Sequence, residues 1–393
     1  MEENSLRVYP ANNGDSFLLN FLGFTFLIDG GYVNTYRSFI KDDLLKLQKK
    51  TGKLDYLIVT HIDQDHISGI NKLVEENNQS TFIKIDNVWH NSLKHLRVKR
   101  GEAKENISPI IENITSQSYL REQLEGENEI SAIQGSTLAR LINEGGYNWN
   151  AAFDMKAISI NNNPIVHITK DIKLILLSPN NDKIDKLYDY WKKELLKYGF
   201  LDEVLENVIF DDAFEIMVSK QKCKKKPRAK DISNSIDQVD SLLSLKFNED
   251  DSASNGSSIA FILEGCNKRV LFLGDSHPSL ICNSLKAYYK SYEFPIHFDL
   301  VKLSHHGSFA NNSPELFSLI NSDKMIFSTN GRGHGHPDKE TIANIISKKN
   351  KELKLYFNYK SETSTMFDNS ELRKKYGFQI NAGTGETPLD IKF

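Results

Sequence analysis

The sequence has few cysteines and no long apolar run. Cys223, Cys266 and Cys282 stand far apart and show no disulfide or zinc spacing. No stretch approaches the roughly 18–20 consecutive apolar residues of a membrane helix. The first residues lack the basic and apolar regions of a signal peptide. We therefore expect a soluble protein of the reducing cytoplasm, without a membrane contact.

The chain also lacks an excess of charge of either sign. Lys and Arg number 49 against 52 Asp and Glu, a net charge of −3. This balance excludes binding of nucleic acid by a general positive field, but not by a local basic site. Residues 220–230, from Lys220 to Lys230, carry seven positive charges and no acidic one. This run could bind a phosphate backbone, although a solvated loop is the favoured alternative and the scarcity of aromatic residues weakens the case for nucleic acid.

Short apolar runs alternate with helical patterns along much of the chain. Residues 17–22 and 24–28 flank Gly23 and predict two strands with a tight turn. Residues 56–59 predict a strand buried on both faces, and residues 38–50 and 70–76 have helical spacing. Strands are also expected near 165–178. From residue 259 onwards the sequence predicts a hairpin followed by further single strands. The pattern predicts a mixed α/β fold.

One motif concentrates metal-binding side chains after the strand at 56–59. His61, Asp63, Asp65 and His66 provide four potential ligands within six residues of a chain that has only 11 histidines. On leaving a strand, His61 and Asp63 would project to the same side. Imidazole and carboxylate together suit zinc, manganese or iron(II). The alternative is a polar loop in which Asp65 caps a helix.

Other predicted strands end in similar polar or glycine-containing loops. Because ligands bind where the strands of an α/β sheet leave at one edge, these loops can converge. They contain most of the remaining candidates: Asp29, His90, Asp275, His305, His306, His334 and His336.

Five short motifs, taken in their order along the chain, resemble those of metallo-β-lactamase-fold hydrolases. They are Asp29-Gly30-Gly31, Thr-His-x-Asp-x-Asp-His, Gly274-Asp275, His305-His306-Gly307-Ser308 and Gly335-His336-Pro337. Within these hydrolases, the chain is most similar to the soluble domain of competence-type DNA-uptake channels, whose pattern Gly14-Asp15-Ser16 and Asn255-Gly256-Ser257-Ser258 also match. The resemblance covers about residues 5–90 and 165–358. It implies an αββα sandwich with a metal site at the sheet edges, and a hydrolase.

The resemblance also implies a ligand set for two divalent ions, zinc or manganese. His61 and Asp63 would hold the first ion, Asp65, His66 and His305 the second, and Asp275 would bridge both. The family usually has histidine where Asp63 stands, which leaves the metal identity open. For the family's third ligand to the first ion, His90 is the candidate and His167 the alternative, unless the ligand is absent.

The expected chemistry is attack by a metal-activated hydroxide at a two-metal centre, most simply on a phosphodiester. Asp65 or Asp275 would also orient the nucleophile. His336, with His334 as the alternative, would contact the phosphate or protonate the leaving oxygen. We expect His306 to act behind the ligands. Asp15 and Asp29 would either fix loops and imidazoles or simply form turns.

The distance in sequence from His66 to Asp275 suggests one sandwich split by long, largely helical insertions. We expect residues 1–91 and 255–393 to form its two parts, and residues 92–254 to hold insertions over the site, with core strands near 165–178. The insertions could bind a protein partner. Besides a phosphodiesterase or nuclease, two functions remain open: a hydrolase of a small ester, lactone or thioester, and a subunit of a larger, for example defence-type, complex.

Overall fold

The structure is a computed structural model that describes residues 4–96, 138–197, 237–332, 335–348 and 352–393. The basic run 220–230 and His334 lie outside the described residues, as do parts of the predicted insertions. Within the described residues, two large β-sheets pack face to face and helices cover their outer faces.

The first sheet contains the N-terminal strands and the last strand of the chain. Its order is β16-β1-β2-β3-β4-β5, and β3, β4 and β5 run parallel to one another. Its strands are β1 (Ser5–Val8), β2 (Ser16–Phe21), β3 (Phe24–Gly30), β4 (Lys53–Ile58), β5 (Lys84–Trp89) and β16 (Leu389–Lys392).

The second sheet has the order β15-β14-β13-β11-β9-β8-β7-β6, with parallel pairing from β9 to β15. A short parallel pair, β10 with β12, lies beside it. The strands are β6 (Ile165–His167), β7 (Ile172–Ser178), β8 (Ala260–Gly265), β9 (Lys268–Phe272), β10 (Ile296–Phe298), β11 (Leu300–Lys302), β12 (Ile320–Ser322), β13 (Lys324–Phe327), β14 (Lys354–Phe357) and β15 (Gln379–Ala382).

The described helices flank these sheets. They are α1 (Val33–Thr35), α2 (Lys41–Thr51), α3 (Gln64–Gln79), α4 (Leu138–Glu144), α5 (Asn181–Lys197), α6 (Asp237–Leu243), α7 (Ala253–Gly256), α8 (Pro278–Tyr288), α9 (Leu316–Leu319), α10 (Lys339–Ile346), α11 (Glu362–Phe367) and α12 (Ser370–Tyr376). A π-helical turn, Tyr36–Ile40, joins α1 to α2. Among the described segments, none is a helix with the length and apolar character that a bilayer crossing requires.

Three apolar clusters define the layers. The central cluster lies between the sheets, where Phe272 packs edge-on against Phe17 of the opposite sheet at 5.8 Å between ring centroids. The other two clusters join each sheet to its own outer helices. The predicted mixed α/β fold, an αββα sandwich, is thereby confirmed, and β6 and β7 supply the core strands expected near 165–178.

The local predictions hold with one informative difference. The tight turn at Leu22 and Gly23 has positive φ at both residues, as hairpin turns require. Helix α3, however, begins at Gln64 and not near residue 70, with Asp63 as its extended N-cap residue. Asp65 and His66 therefore belong to the first helical turn, which points them back towards the end of β4.

The parallel strands end at one edge of the sandwich. Asp29 is the penultimate residue of β3, and His61 follows β4. From the other sheet, Asp275 follows β9 and His305 follows β11. Both sheets thus contribute polar side chains to the same edge, as open α/β sheets do.

Candidate metal centre

The carboxylate of Asp275 is the meeting point of four histidines. Its Oδ2 lies 3.7 Å from His61 Nε2, 3.6 Å from His66 Nε2, and 3.9 Å from the Nε2 atoms of both His305 and His306. Asp275 is 2% exposed. One buried oxygen therefore faces four imidazole nitrogens at distances too long for hydrogen bonds.

The backbone before Asp275 admits only glycine. Gly274 has φ +51°, and a Cβ there would stand 2.3 Å from Ser258 Oγ. That hydroxyl accepts the backbone N–H of Asp275 at 3.0 Å. The close approach of the Ser258 side chain thus holds the carboxylate at the end of β9.

Two of the histidines have fixed ring orientations through Asp29. Thr60 Oγ1 donates to Asp29 Oδ2 at 2.7 Å and therefore accepts from His61 Nδ1 at 3.0 Å. His66 Nδ1 donates to the same Asp29 oxygen at 2.9 Å. With a proton on Nδ1 of each ring, Nε2 is the atom left to bind a cation.

His305 and His306 are neighbours in sequence, yet both reach the cluster. Their φ angles are +44° and +56°, which places a left-handed kink after β11. His305 Nδ1 donates to Asn311 Oδ1, and His306 Nδ1 donates to the backbone oxygen of Ser328, both at 2.9 Å. The kink is a strained conformation of the kind that persists at functional sites.

The carboxylates of the motif after β4 are held from outside the cluster. Ser254 Oγ, from α7, donates to Asp63 Oδ1, and Asp63 Oδ2 lies 3.5 Å from His61 Nε2. Asn13 Nδ2 donates to Asp65 Oδ2 at 3.0 Å, and that oxygen is 3.7 Å from His306 Nε2.

These atoms suit divalent metal ions. Four sets of ligand atoms lie within 4.8 Å of one another: His61 with His66 and Asp275, Asp65 with His66 and His306, Asp275 with His305 and His306, and Asp15 with Asp29 and His66. The buried atoms His61 Nε2, His66 Nε2 and Asp275 Oδ1 make no hydrogen bond. Buried polar atoms are normally paired. Mixed nitrogen and oxygen donors that converge without pairing are what zinc or manganese would satisfy.

The carboxylates and histidines of the cluster shift each other's pKa values. Burial opposes ionisation of Asp275, but the nearby histidines lower its pKa well below the usual value. Burial would lower the pKa of His66, yet Asp275 and Asp29 raise it well above the ordinary value. Asp15 and Asp275 likewise outweigh burial and raise the pKa of His306. Protons held by histidines here must leave when a metal binds.

The structure brings together His61, Asp63, Asp65, His66, Asp275 and His305 from the predicted ligand set. His306 was predicted to lie behind the ligands. Its Nε2 atom nevertheless faces Asp275 and Asp65, in the same way as the Nε2 atom of His305 faces Asp275. His90 lies against Trp149 at 6.1 Å between ring centroids, outside the ligand sets of the described residues. His167 is exposed on β6, away from this edge.

His336 lies beside the cluster. Its ring centroid is 5.2 Å from that of His305, and its Nδ1 is 3.1 Å from Asp338 Oδ1. Burial lowers the pKa of His336 to about 4, against the raising effect of Asp338. The imidazole is therefore neutral at pH 7. Of its two predicted roles, this favours contact with a phosphate over protonation of the leaving oxygen.

The sequence reasoning missed Lys302 and the polar residues around His305. Lys302, 1% exposed in β11, pairs with Asp15 and lies 3.8 Å from Asp275 Oδ1. A lysine within an apolar parallel strand is a usable signal, because such strands are buried on both faces. Asp250 and Asn311 gave no comparable local signal.

Part of the chain is similar to a known protein family. Residues 9–128 match the family model described as Metallo-beta-lactamase superfamily. The solved metallo-beta-lactamase fold protein YhfI from Bacillus subtilis is 9% identical, with 100% of both chains covered and a TM-score of 0.39. Zn(2+)-bound PqqB from Methylobacterium extorquens is 9% identical, covering 96% of this chain and 87% of that one, with a TM-score of 0.36. A diphosphatase of the PhnP family is 10% identical, covering 100% and 98%, with a TM-score of 0.35.

Residues 9–128 are thus similar to the metallo-β-lactamase superfamily, which consists mostly of metal-dependent hydrolases.

Proposed function

We propose that the protein is a hydrolase that cleaves phosphodiester bonds with two divalent ions, zinc or manganese, as a phosphodiesterase or nuclease. The observation that carries the proposal is the convergence of four histidine Nε2 atoms within 3.6–3.9 Å of Asp275 Oδ2. A carboxylate shared among imidazoles could hold two divalent ions, which would supply metal-assisted hydrolysis.

The charges of the site support two ions. Five carboxylates surround the cluster: Asp15, Asp29, Asp63, Asp65 and Asp275. Lys302 is the one ammonium among them in the described residues, so four negative charges remain when the histidines are neutral ligands. Two divalent cations neutralise that surplus, whereas one leaves half of it buried. Uncompensated buried charge is costly.

The contacts support a division of the ligands. His61 and Asp63 would hold the first ion, and Asp65, His66 and His306 the second, with Asp275 shared. His305 contacts Asn255 of α7 at 3.3 Å, next to the Ser254 that holds Asp63. His305 is therefore our candidate for the ligand to the first ion that His90 was predicted to supply.

The side chains of the cluster have separate tasks. When bound, a pair of divalent ions activates water and withdraws charge from a phosphoryl group. Asp65, fixed by Asn13, and Asp275 would orient the attacking water. His336 would contact the phosphate from the side of His305, and its low pKa keeps it uncharged there at neutral pH.

The proposed substrate is a nucleic acid. We propose that residues 220–230 bind the backbone of a nucleic acid, and that the insertions offer a surface for a protein partner. The balanced net charge of −3 makes such a local site necessary for nucleic-acid binding.

The deciding experiment is a substrate panel after metal removal. Protein treated with a chelator is assayed with added Zn²⁺ or Mn²⁺ on linear and circular DNA, RNA, cyclic dinucleotides and a chromogenic phosphodiester. A small ester, a lactone and a thioester form the comparison arm. We expect phosphodiester cleavage that is absent without metal, and up to two ions per chain by elemental analysis.

Variants of the cluster serve as controls. His61→Ala and Asp275→Asn should lower both the metal content and the activity. Metal-free wild type with full activity would contradict the mechanism, and preference for the ester arm would contradict the substrate class. Replacing residues 222–228 by an equally long Gly/Ser segment should weaken nucleic-acid cleavage and spare the chromogenic phosphodiester.

A further inference from the structure

Asp250 lies behind His305 and outside the metal-ligand sets. It precedes α7, and its backbone N–H donates to Ala310 at 3.1 Å. Its Oδ2 accepts from Asn255 Nδ2 at 2.7 Å and from Asn311 Nδ2 at 3.0 Å. The side chain is 13% exposed. Two amides are thus directed by one partly buried carboxylate.

The acceptors around Asn311 determine which way its amide points. Asn311 Nδ2 donates to Asp250 Oδ2 and also to the backbone oxygen of Asp275 at 3.1 Å. A carboxylate and a carbonyl can only accept, so the NH₂ group must face them. The amide oxygen of Asn311 is therefore the atom that faces His305.

The amide oxygen in turn determines the tautomer of His305. Asn311 Oδ1 only accepts, and it lies 2.9 Å from His305 Nδ1, so the ring carries its proton there. The lone pair of the neutral ring is then on Nε2, the atom 3.9 Å from Asp275 Oδ2. Asn255 Nδ2 is farther from Nδ1, at 3.3 Å, and donates to Asp250.

We infer that Asp250 is a positioning residue that prepares His305 for metal binding by orienting the Asn311 amide. The three other histidines reach the same tautomer through direct contacts with a threonine, a carboxylate or a backbone carbonyl. His305 alone among the four depends on a side-chain amide, which could turn over if nothing held it. Asp250 supplies this constraint together with the backbone oxygen of Asp275. This inference rests on the proposed metal centre.

The first test reads the tautomer in the metal-free protein. Long-range ¹H–¹⁵N spectra of histidine-labelled protein at pH about 9, where an ordinary imidazole is neutral, distinguish Nδ1–H from Nε2–H. The spectrum of His305→Gln assigns the signal. We expect Nδ1–H in wild type and a mixture in Asp250→Asn. An Nε2–H ring in wild type overturns the inference, even if no variant folds.

The second test measures metal affinity by competition with a chromophoric chelator, with Zn²⁺ and Mn²⁺ in turn. Loss of an outer partner typically weakens metal binding about 10-fold to 100-fold, and we expect this for one ion in Asp250→Asn. Asp251→Asn, the same change at an exposed neighbour, is the matched control. Unchanged affinity in Asp250→Asn overturns the inference. Failure of wild type to bind metal would instead refute the proposed function, and the tautomer measurement is independent of it.

Discussion

The ammonium group of Lys302 is paired with the carboxylate of Asp15 in the interior of the sandwich, and each side chain is 1% exposed. The pair lies directly behind the cluster of candidate ligands, because Lys302 is also 3.8 Å from Asp275 Oδ1 and Asp15 Oδ1 is 3.3 Å from His306 Nδ1. Burial would lower the pKa of Lys302, but Asp15 and Asp275 raise it, so the lysine is charged. A fixed positive charge is thus built into a carboxylate-rich site.

Lys302→Met should destabilise the protein strongly. The change leaves Asp15 buried and without its cation, and breaking a buried pair from one side typically costs about 3–5 kcal/mol. Denaturant unfolding of the metal-free protein measures this loss. Lys324→Met, at a half-buried lysine on the neighbouring strand β13, should have a small effect. Equal stability of Lys302→Met and wild type would show that Asp15 is not charged in the fold.

Ser254→Ala should weaken metal binding without removing a ligand. The Ser254 hydroxyl holds Asp63 Oδ1, so that Oδ2 alone faces His61. Without this bond the carboxylate can rotate, and we expect metal affinity to fall about 10-fold or more, as for other outer partners. Chelator competition measures the effect, and Ser244→Ala, at an exposed serine of the preceding segment, is the control. Wild-type metal affinity in Ser254→Ala would show that the Asp63 carboxylate keeps its orientation without the Ser254 hydroxyl.

The parts of the site that the sequence predicts are local. His61, Asp63, Asp65 and His66 follow one buried strand, so a period-2 strand and the start of a helix suffice to bring them to one edge. The mixed α/β class follows similarly from apolar runs of strand length that alternate with helical patterns, whereas the αββα layering was implied by the resemblance of the motifs.

What the sequence did not predict depends on distant contacts. In an extended strand His305 and His306 would point to opposite sides, and only the left-handed kink turns both rings to Asp275. His90 follows a strand at the expected edge, but Trp149, 59 residues away in the sequence, stacks on the His90 ring. The Nε1 of Trp149 also donates to the backbone oxygen of His90. Asp250 reaches Asn311 across 61 residues. No short pattern contains such pairs.

His336→Ala should keep the metal ions of the proposed centre and lower turnover. The ring lies beside His305 but outside the ligand sets of the described residues. A hydrogen bond to a charged group contributes about 1.5–3 kcal/mol, so its loss from the phosphate should reduce kcat about 10-fold to 100-fold. Elemental analysis and kinetics on the chromogenic phosphodiester separate the two effects, with the half-exposed His297→Ala as control. Loss of metal from His336→Ala would make His336 a ligand.

His95 should make the fold less stable in mild acid. It is buried next to Trp149, and its Nδ1 accepts the backbone N–H of Ser92 at 3.1 Å. Burial, with Lys94 and His90, lowers the pKa of His95 well below the ordinary value of 6.5. The unfolded chain therefore binds a proton at His95 that the folded protein excludes. The stability from this residue is complete above about pH 6.5 and falls as the pH drops below it.

His95→Gln isolates this contribution, because glutamine can still accept the Ser92 N–H in the capping box. At pH 5 the wild type should have lost up to about 2 kcal/mol relative to pH 7.5 through His95. The free energy of unfolding in denaturant, measured for both proteins at both pH values, should show a smaller pH dependence in His95→Gln. His167→Gln, at an exposed histidine of β6, controls for loss of an imidazole as such. Because the raised pKa values of His66 and His306 act in the opposite direction in both proteins, only the difference between their pH profiles tests His95. Parallel profiles would mean that the folded protein admits the proton after all.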